Sequence, residues 1–174
     1  MKATYNEIFS SYWQAGYEGA DHVNGTGLPL SMNDINRHAT LAYDDYLLLN
    51  DFDIRTVRES VGWRLVEKDG HFDFSSIEAR VGAAEELGLQ VIWTLCHYGW
   101  PDDVDVYSPA FIDRFANYCH HVVKYLESRS NNHAVNIYSP INEISFASWA
   151  SARIGFMRLD LHGDDGTEIK QVLP

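Results

Sequence analysis

Hydrophobic and polar positions along this 174-residue chain switch repeatedly between a strand-like and a helix-like pattern. Residues 9–16 are apolar and aromatic and predict a first strand. Residues 19–30 carry three glycines and a proline and read as a loop. Ile35, Ala39, Ala42, Tyr46 and Leu49 then recur at helical spacing, with Ser31 and Asn33 placed to cap the start. Residues 53–63 hold a second strand, with Ile54 and Val57 early and Val61 and Trp63 late. Lys68-Asp69-Gly70 is a turn.

Ser75 followed by Glu78 forms a capping-box pattern. The helix it opens shows the stripe Ile77, Val81, Ala84, Leu87, and Gly88 is placed to end it. Residues 89–95 are continuously apolar, as in a parallel strand buried on both faces. A loop over 97–107 leads to Ser108 and Pro109, a helix start. That helix carries Phe111, Phe115, Cys119, Val122 and Leu126 on one face. Residues 135–138 are a fourth strand, and a further helix begins near Thr167.

Strand then helix, about four times over, implies α/β architecture with a parallel sheet and crossover helices. An open doubly wound sheet and the N-terminal half of a (β/α)8 TIM barrel both satisfy the pattern. No Gly-x-Gly-x-x-Gly follows the first strand, which disfavours a nucleotide-binding sheet. No linker divides residues 1–174, so they are expected to form one partial barrel domain.

Composition narrows the partners. A net charge of −12 argues against nucleic acid and anionic membranes, which need clustered Lys and Arg. No apolar run reaches the ~18–20 residues of a membrane span. The first residues lack a secretory pattern, so a cytoplasmic location is expected. Asn24-Gly25-Thr26 is then read as a turn rather than a glycosylation site. Cys96 and Cys119 read as small buried hydrophobes. Five Trp, ten Tyr and eight Phe suit a sugar site, whose apolar faces pack on rings, and suit a core equally.

Barrel enzymes gather functional groups where strands end. Here those places carry Glu18, then Arg58, Glu59 and Trp63, then His97 to Trp100, then Asn142-Glu143. Taken singly, Glu143 could be a solvated loop residue, His97 a satisfied core histidine and Arg58 a partner of Glu59, while Trp63 reads as core. His120 and His121, adjacent on a helix, point in different directions, and no spacing suggests a metal site.

In order, four segments resemble the family-1 glycoside hydrolases, β-glucosidase-like members of a clan of retaining (β/α)8 barrels. They are Gly16-Tyr17-Glu18-Gly19-Ala20, Val57-Arg58-Glu59-Ser60-Val61-Gly62-Trp63-Arg64, Thr94-Leu95-Cys96-His97-Tyr98-Gly99-Trp100-Pro101, and Asn142-Glu143. The resemblance implies hydrolysis of β-linked sugars with Glu143 as general acid/base. It implies that Asn142 and His97 bind sugar hydroxyls, that Arg58 supports the nucleophile, and that Glu18 and Trp100 line the sugar pocket. It implies no cofactor. The chain departs from the family at Ile144 (Pro), Gly16 (Gln) and Tyr98 (Trp).

A retaining hydrolase needs a nucleophilic carboxylate about 5–5.5 Å from its acid/base. The resemblance puts that residue after a seventh strand, outside the 174 residues. The expectation is a half-barrel that is weakly active or inactive alone and is completed by a C-terminal half or by self-association. The alternative is a non-catalytic sugar-binding or assembly module derived from such a barrel.

Overall fold

The computed structural model describes residues 8–129, 137–152, 154–157 and 167–173. Four parallel strands form the main sheet: β1 (Gln14–Gly16), β4 (Thr56–Ser60), β7 (Gln90–Cys96) and β8 (Ile137–Ile141). Their spatial order is β1-β4-β7-β8, the order in which the chain visits them. A doubly wound sheet reverses direction at a switch point. This sheet does not, and it runs as consecutive units of a (β/α)8 barrel do. The fold is therefore α/β, a partial TIM barrel.

Between the strands lie α2 (His38–Leu49), α4 (Ser75–Leu87) and α5 (Ala110–Arg129), with α2 packed against α4. Two small hairpins decorate the frame: β2 (Asp21–Val23) with β3 (Pro29–Ser31), and β5 (Glu67–Lys68) with β6 (His71–Phe72). Short helices α1 (Met32–Ile35) and α3 (Trp63–Val66), the later α6 (Ile144–Ala152) and α7 (Thr167–Val172), and a 3-10 turn over Asn50–Phe52 complete the described elements. No helix among the described residues is long and apolar enough to cross a membrane.

The sheet has two chemically different faces. Side chains alternate along a strand, and the register aligns Thr56 with Gln90, Arg58 with Ile92, Ser60 with Thr94, and Thr94 with Ser139. One face is therefore rich in polar groups. On the other, Val57, Val91, Trp93 and Leu95 join the core with Ile77, Val81, Phe111, Phe115, Tyr118 and Leu126 from the helices. Trp63 stands at its centre, fully buried, with its ring 5.0 Å from Tyr118 and 5.2 Å from Phe115.

Glu59 shares that helix-facing side and is fully buried. Its Oε1 meets His38 Nε2 at 2.8 Å and accepts from the Tyr46 hydroxyl at 2.9 Å, while Oε2 accepts from Arg80 Nη1 at 3.0 Å. His38 Nδ1 meets Asp45 at 2.6 Å. Burial opposes the imidazolium, but a carboxylate on each ring nitrogen outweighs it and raises the His38 pKa. Glu59 thus ties β4 to α2 and α4. It is not Arg58's partner, because adjacent strand residues point to opposite faces.

Several local expectations are corrected. The first strand is confined to Gln14–Gly16, and the supposed loop over 19–30 contains the β2–β3 hairpin. The helix read from 31–49 is two helices, broken where Arg37 takes φ +65°. The second strand ends at Ser60, and Trp63 opens α3. No Ser75 capping box forms: the Ser75 N–H is instead taken by Asp73 Oδ1 at 2.9 Å. Gly88 does end α4 in the left-handed conformation, at φ +67°. Val135, read as part of the fourth strand, lies outside the described residues.

Candidate functional site

The site is built where β4, β7 and β8 end. Arg58 lies on the polar face of β4, half-buried. Its Nε donates to Thr94 Oγ1 on β7 at 3.1 Å, and its Nη2 reaches across to Asn142 Oδ1, just past β8, at 2.5 Å. A guanidinium only donates, so this contact fixes which end of the Asn142 amide is oxygen. Asn142 Nδ2 is then the donor, to His97 Nε2 at 2.9 Å and to the Tyr98 hydroxyl at 2.7 Å.

His97 is 5 % exposed. Because Nε2 accepts from Asn142, the ring proton sits on Nδ1, which donates to Ser60 Oγ at 2.8 Å. The His97 pKa is lowered to about 4, chiefly by burial. Glu18 and Glu143 oppose that shift, and the Arg58 charge acts in the same direction as burial. The imidazole is therefore neutral near pH 7, with its tautomer set by its neighbours. Glu18 is exposed, with Oε1 3.7 Å from His97 Nε2 and accepting the Ala20 N–H at 2.8 Å.

Glu143 follows Asn142 with an exposed side chain, and its Oε2 accepts from the Tyr98 hydroxyl at 3.0 Å. Its backbone is left-handed, φ +40°, and its carbonyl accepts the Ala147 N–H at 2.9 Å in the first turn of α6. Tyr98 is left-handed too, at φ +75°. Non-glycine residues in this region cost of order 1–3 kcal/mol each and persist where surrounding contacts hold them.

The β2–β3 hairpin closes against the same end. The Asp21 N–H donates to the His97 carbonyl at 3.0 Å. A Cβ on Gly99 would lie 1.8 Å from the Asp21 carbonyl oxygen, so only glycine allows this approach. Burial pushes the Asp21 carboxyl up to about 6, although Arg64 donates to its Oδ1.

Of the residues singled out from the sequence, the structure joins Arg58, His97, Asn142 and Glu143 through direct hydrogen bonds and the Tyr98 bridge, with Glu18 alongside. Trp100 is half-buried against the core, its ring edge-on to Phe111 at 6.4 Å. Three participants had been assigned no role from the sequence: Thr94, Ser60 and Tyr98. Ser60 and Thr94 share Arg58's face by alternation, a signal that becomes usable once the strand boundaries are known. Tyr98 was noted only as a replaced aromatic; its hydroxyl was the clue. Beyond it, the rings of Phe146 and Trp149 on α6 follow at 5.5 and 5.7 Å.

Chemically, the arrangement offers a neutral imidazole, a primary amide and an arginine beside two exposed carboxyl groups, Glu143 and Glu18. Such a set can orient a hydroxyl-bearing ligand and pass a proton to it. Glu59 cannot act as a further carboxylate here, since it faces the helices and both its oxygens are taken.

No protein-family model matches the chain, and no curated protein does. Solved structures do. The AHE enzyme from Alicyclobacillus herbarius superimposes with a TM-score of 0.65 at 17% identity, over 78% of this chain and 31% of that one. A β-glucosidase from Exiguobacterium marinum gives 0.62 at 16%, over 78% and 32%. The β-glucosidase from Thermotoga maritima in complex with castanospermine gives 0.60 at 16%, over 78% and 33%. The likeness is one of fold, and this chain spans about a third of the length of each of these proteins.

Proposed function

We propose that the chain supplies the sugar-binding and acid/base portion of a retaining β-glycosidase. The observation that carries this reading is the bonded set Arg58–Asn142–His97 with Glu143 beside it, at the C-terminal ends of consecutive barrel strands. Two of the fold neighbours are β-glucosidases, which supports the same reaction class.

In this reading Glu143 protonates the glycosidic oxygen as the C–O bond breaks, then takes a proton from the water that releases the sugar. Asn142 and His97 receive the sugar hydroxyls, and Arg58 orders both. Glu18 and Trp100 border the pocket. The nucleophile comes from outside these 174 residues. Strands β1 and β8 each have one unpaired edge among the described strands, and further strands, from a longer polypeptide or a second copy, cover them. A carbohydrate is the ligand, and no cofactor takes part.

A sugar panel measured by calorimetry, beside hydrolysis of an aryl β-glucoside, tests the reading. Saturable β-glucoside binding, lost in Asn142→Ala, is expected, with weak or no turnover from the chain alone. Absence of any sugar binding would sink it. Robust turnover that Glu143→Gln abolishes would show that the nucleophile lies within the chain.

A further inference from the structure

The loops after β7 and β8 meet through Tyr98 and Glu143, both with left-handed backbones. Their contact has a direction, set by a chain of hydrogen bonds that begins at Arg58. Arg58 has only donors, so it faces the amide oxygen of Asn142. That leaves Asn142 Nδ2 to donate to the Tyr98 oxygen at 2.7 Å. The phenolic hydrogen is then committed to Glu143 Oε2 at 3.0 Å. Burial, and after it the bond to Glu143, hold the Tyr98 pKa well above the usual phenol value, so the hydrogen stays in place.

A protonated carboxyl group has one O–H oxygen, a weak acceptor, and one carbonyl oxygen, the stronger acceptor. We propose that Tyr98 decides between them: Oε2 is held as the acceptor, and the acid proton of Glu143 sits on Oε1. A proton on Oε2 would make that oxygen a weaker acceptor and weaken the phenolic hydrogen's bond to its only described acceptor. Oε1 has no hydrogen-bond partner among the described residues and is free to meet a leaving group. This inference rests on the acid/base reading of Glu143 given above. It is a property of this chain, because the tryptophan that stands here in the resembled family has an N–H donor and no accepting oxygen for the Asn142 amide.

The Oε1 proton passes to the glycosidic oxygen, which keeps the electron pair of the breaking bond to the anomeric carbon. A carboxylate nucleophile from the completing half takes that carbon. Glu143 is left as a carboxylate, and the Tyr98 hydrogen bond to Oε2 strengthens as the charge appears. In the second half, Oε1 takes a proton from the attacking water. Tyr98 touches neither substrate nor the transferred proton, and is a positioning residue.

Tyr98→Phe removes the hydroxyl and keeps the ring against Phe146 and His97. In the labelled 174-residue chain, three-bond couplings at Glu143 should report one side-chain rotamer in the wild type and averaging in Tyr98→Phe, with an unchanged melting curve. Arg58→Met should also average it, because the Asn142 amide is then free to turn. An unchanged Glu143 rotamer in Tyr98→Phe overturns the proposal whether or not the chain hydrolyses anything.

Where turnover is measurable, phenyl and 2,4-dinitrophenyl β-glucosides separate the roles, since only the poorer leaving group needs the acid. For the phenyl substrate kcat should fall about tenfold, part of the roughly 10²–10⁴ that acid–base catalysis supplies, with KM nearly constant. The dinitrophenyl rate should hold. Equal losses for both substrates assign Tyr98 a merely structural role and overturn the proposal. Where neither substrate is hydrolysed, as expected of the chain alone, the rotamer measurement decides.

Discussion

Arg58 on β4 and Asn142 just past β8 are 84 residues apart, with β7 between their strands, yet their side chains meet at 2.5 Å. The guanidinium crosses the polar face of β7, gripping Thr94 on the way. One cation therefore sets the orientation of the amide, and through it the tautomer of His97 and the direction of the Tyr98 hydroxyl.

Arg58→Met should weaken β-glucoside binding by about 10- to 100-fold, since hydrogen bonds to charged groups contribute roughly 1.5–3 kcal/mol. Arg58→Lys should not restore it, because a single ammonium cannot hold Thr94 and Asn142 with the geometry of a planar fork. Calorimetry with both variants decides this. Wild-type affinity in Arg58→Lys would mean that only charge matters.

His97 should titrate near pH 4, its pKa lowered by burial. Its folded pKa lies below the ordinary value of about 6.5, so between these pH values the unfolded chain binds more protons. Its contribution to stability is full above pH 6.5 and is lost as pH falls toward 4. Asp21 works in the opposite sense: its carboxyl is pushed up to about 6, so its ionisation costs stability as pH rises from about 4 to 6. Ring-nitrogen NMR separates the two. An imidazolium signal from His97 at pH 5.5 would contradict the burial argument.

Arg80→Met should destabilise the fold by about 3–5 kcal/mol, the usual cost of stranding one partner of a buried ion pair. Arg80 and Glu59 are 1 % and 0 % exposed, and the remaining partners of Glu59 cannot replace the guanidinium. Urea unfolding measures the loss. A midpoint close to wild type would show that His38 alone neutralises Glu59.

The chain by itself should associate at moderate concentration. Two sheet edges are open among the described strands, and Tyr12, Trp13, Tyr43, Leu47, Leu48 and Phe52 are exposed. Open edges and grouped apolar surface favour pairing. Sedimentation velocity across a concentration series is the measurement. A well-folded monomer at all concentrations would count against the need for a completing half.

The amino-acid sequence by itself determined the alternation of strand and helix, the run of apolar residues in β7, the stop at Gly88, and the polar residues at successive strand ends. These are local signals, written in periodicity and in residues with few allowed conformations. Parity was not local. Arg58 and Glu59 are neighbours of opposite charge, and only the register of β4 against β7 sends Arg58 to the site and Glu59 to the helices. The break at Arg37, the bond of the Ser75 N–H to Asp73, and the short first strand were likewise decided by packing. So was the role of Tyr98, whose hydroxyl gains a direction only when Asn142, fixed by a residue two strands away, is placed against it. Hydrogen-bond direction passes between residues distant in sequence, and it exists only once the strands are side by side.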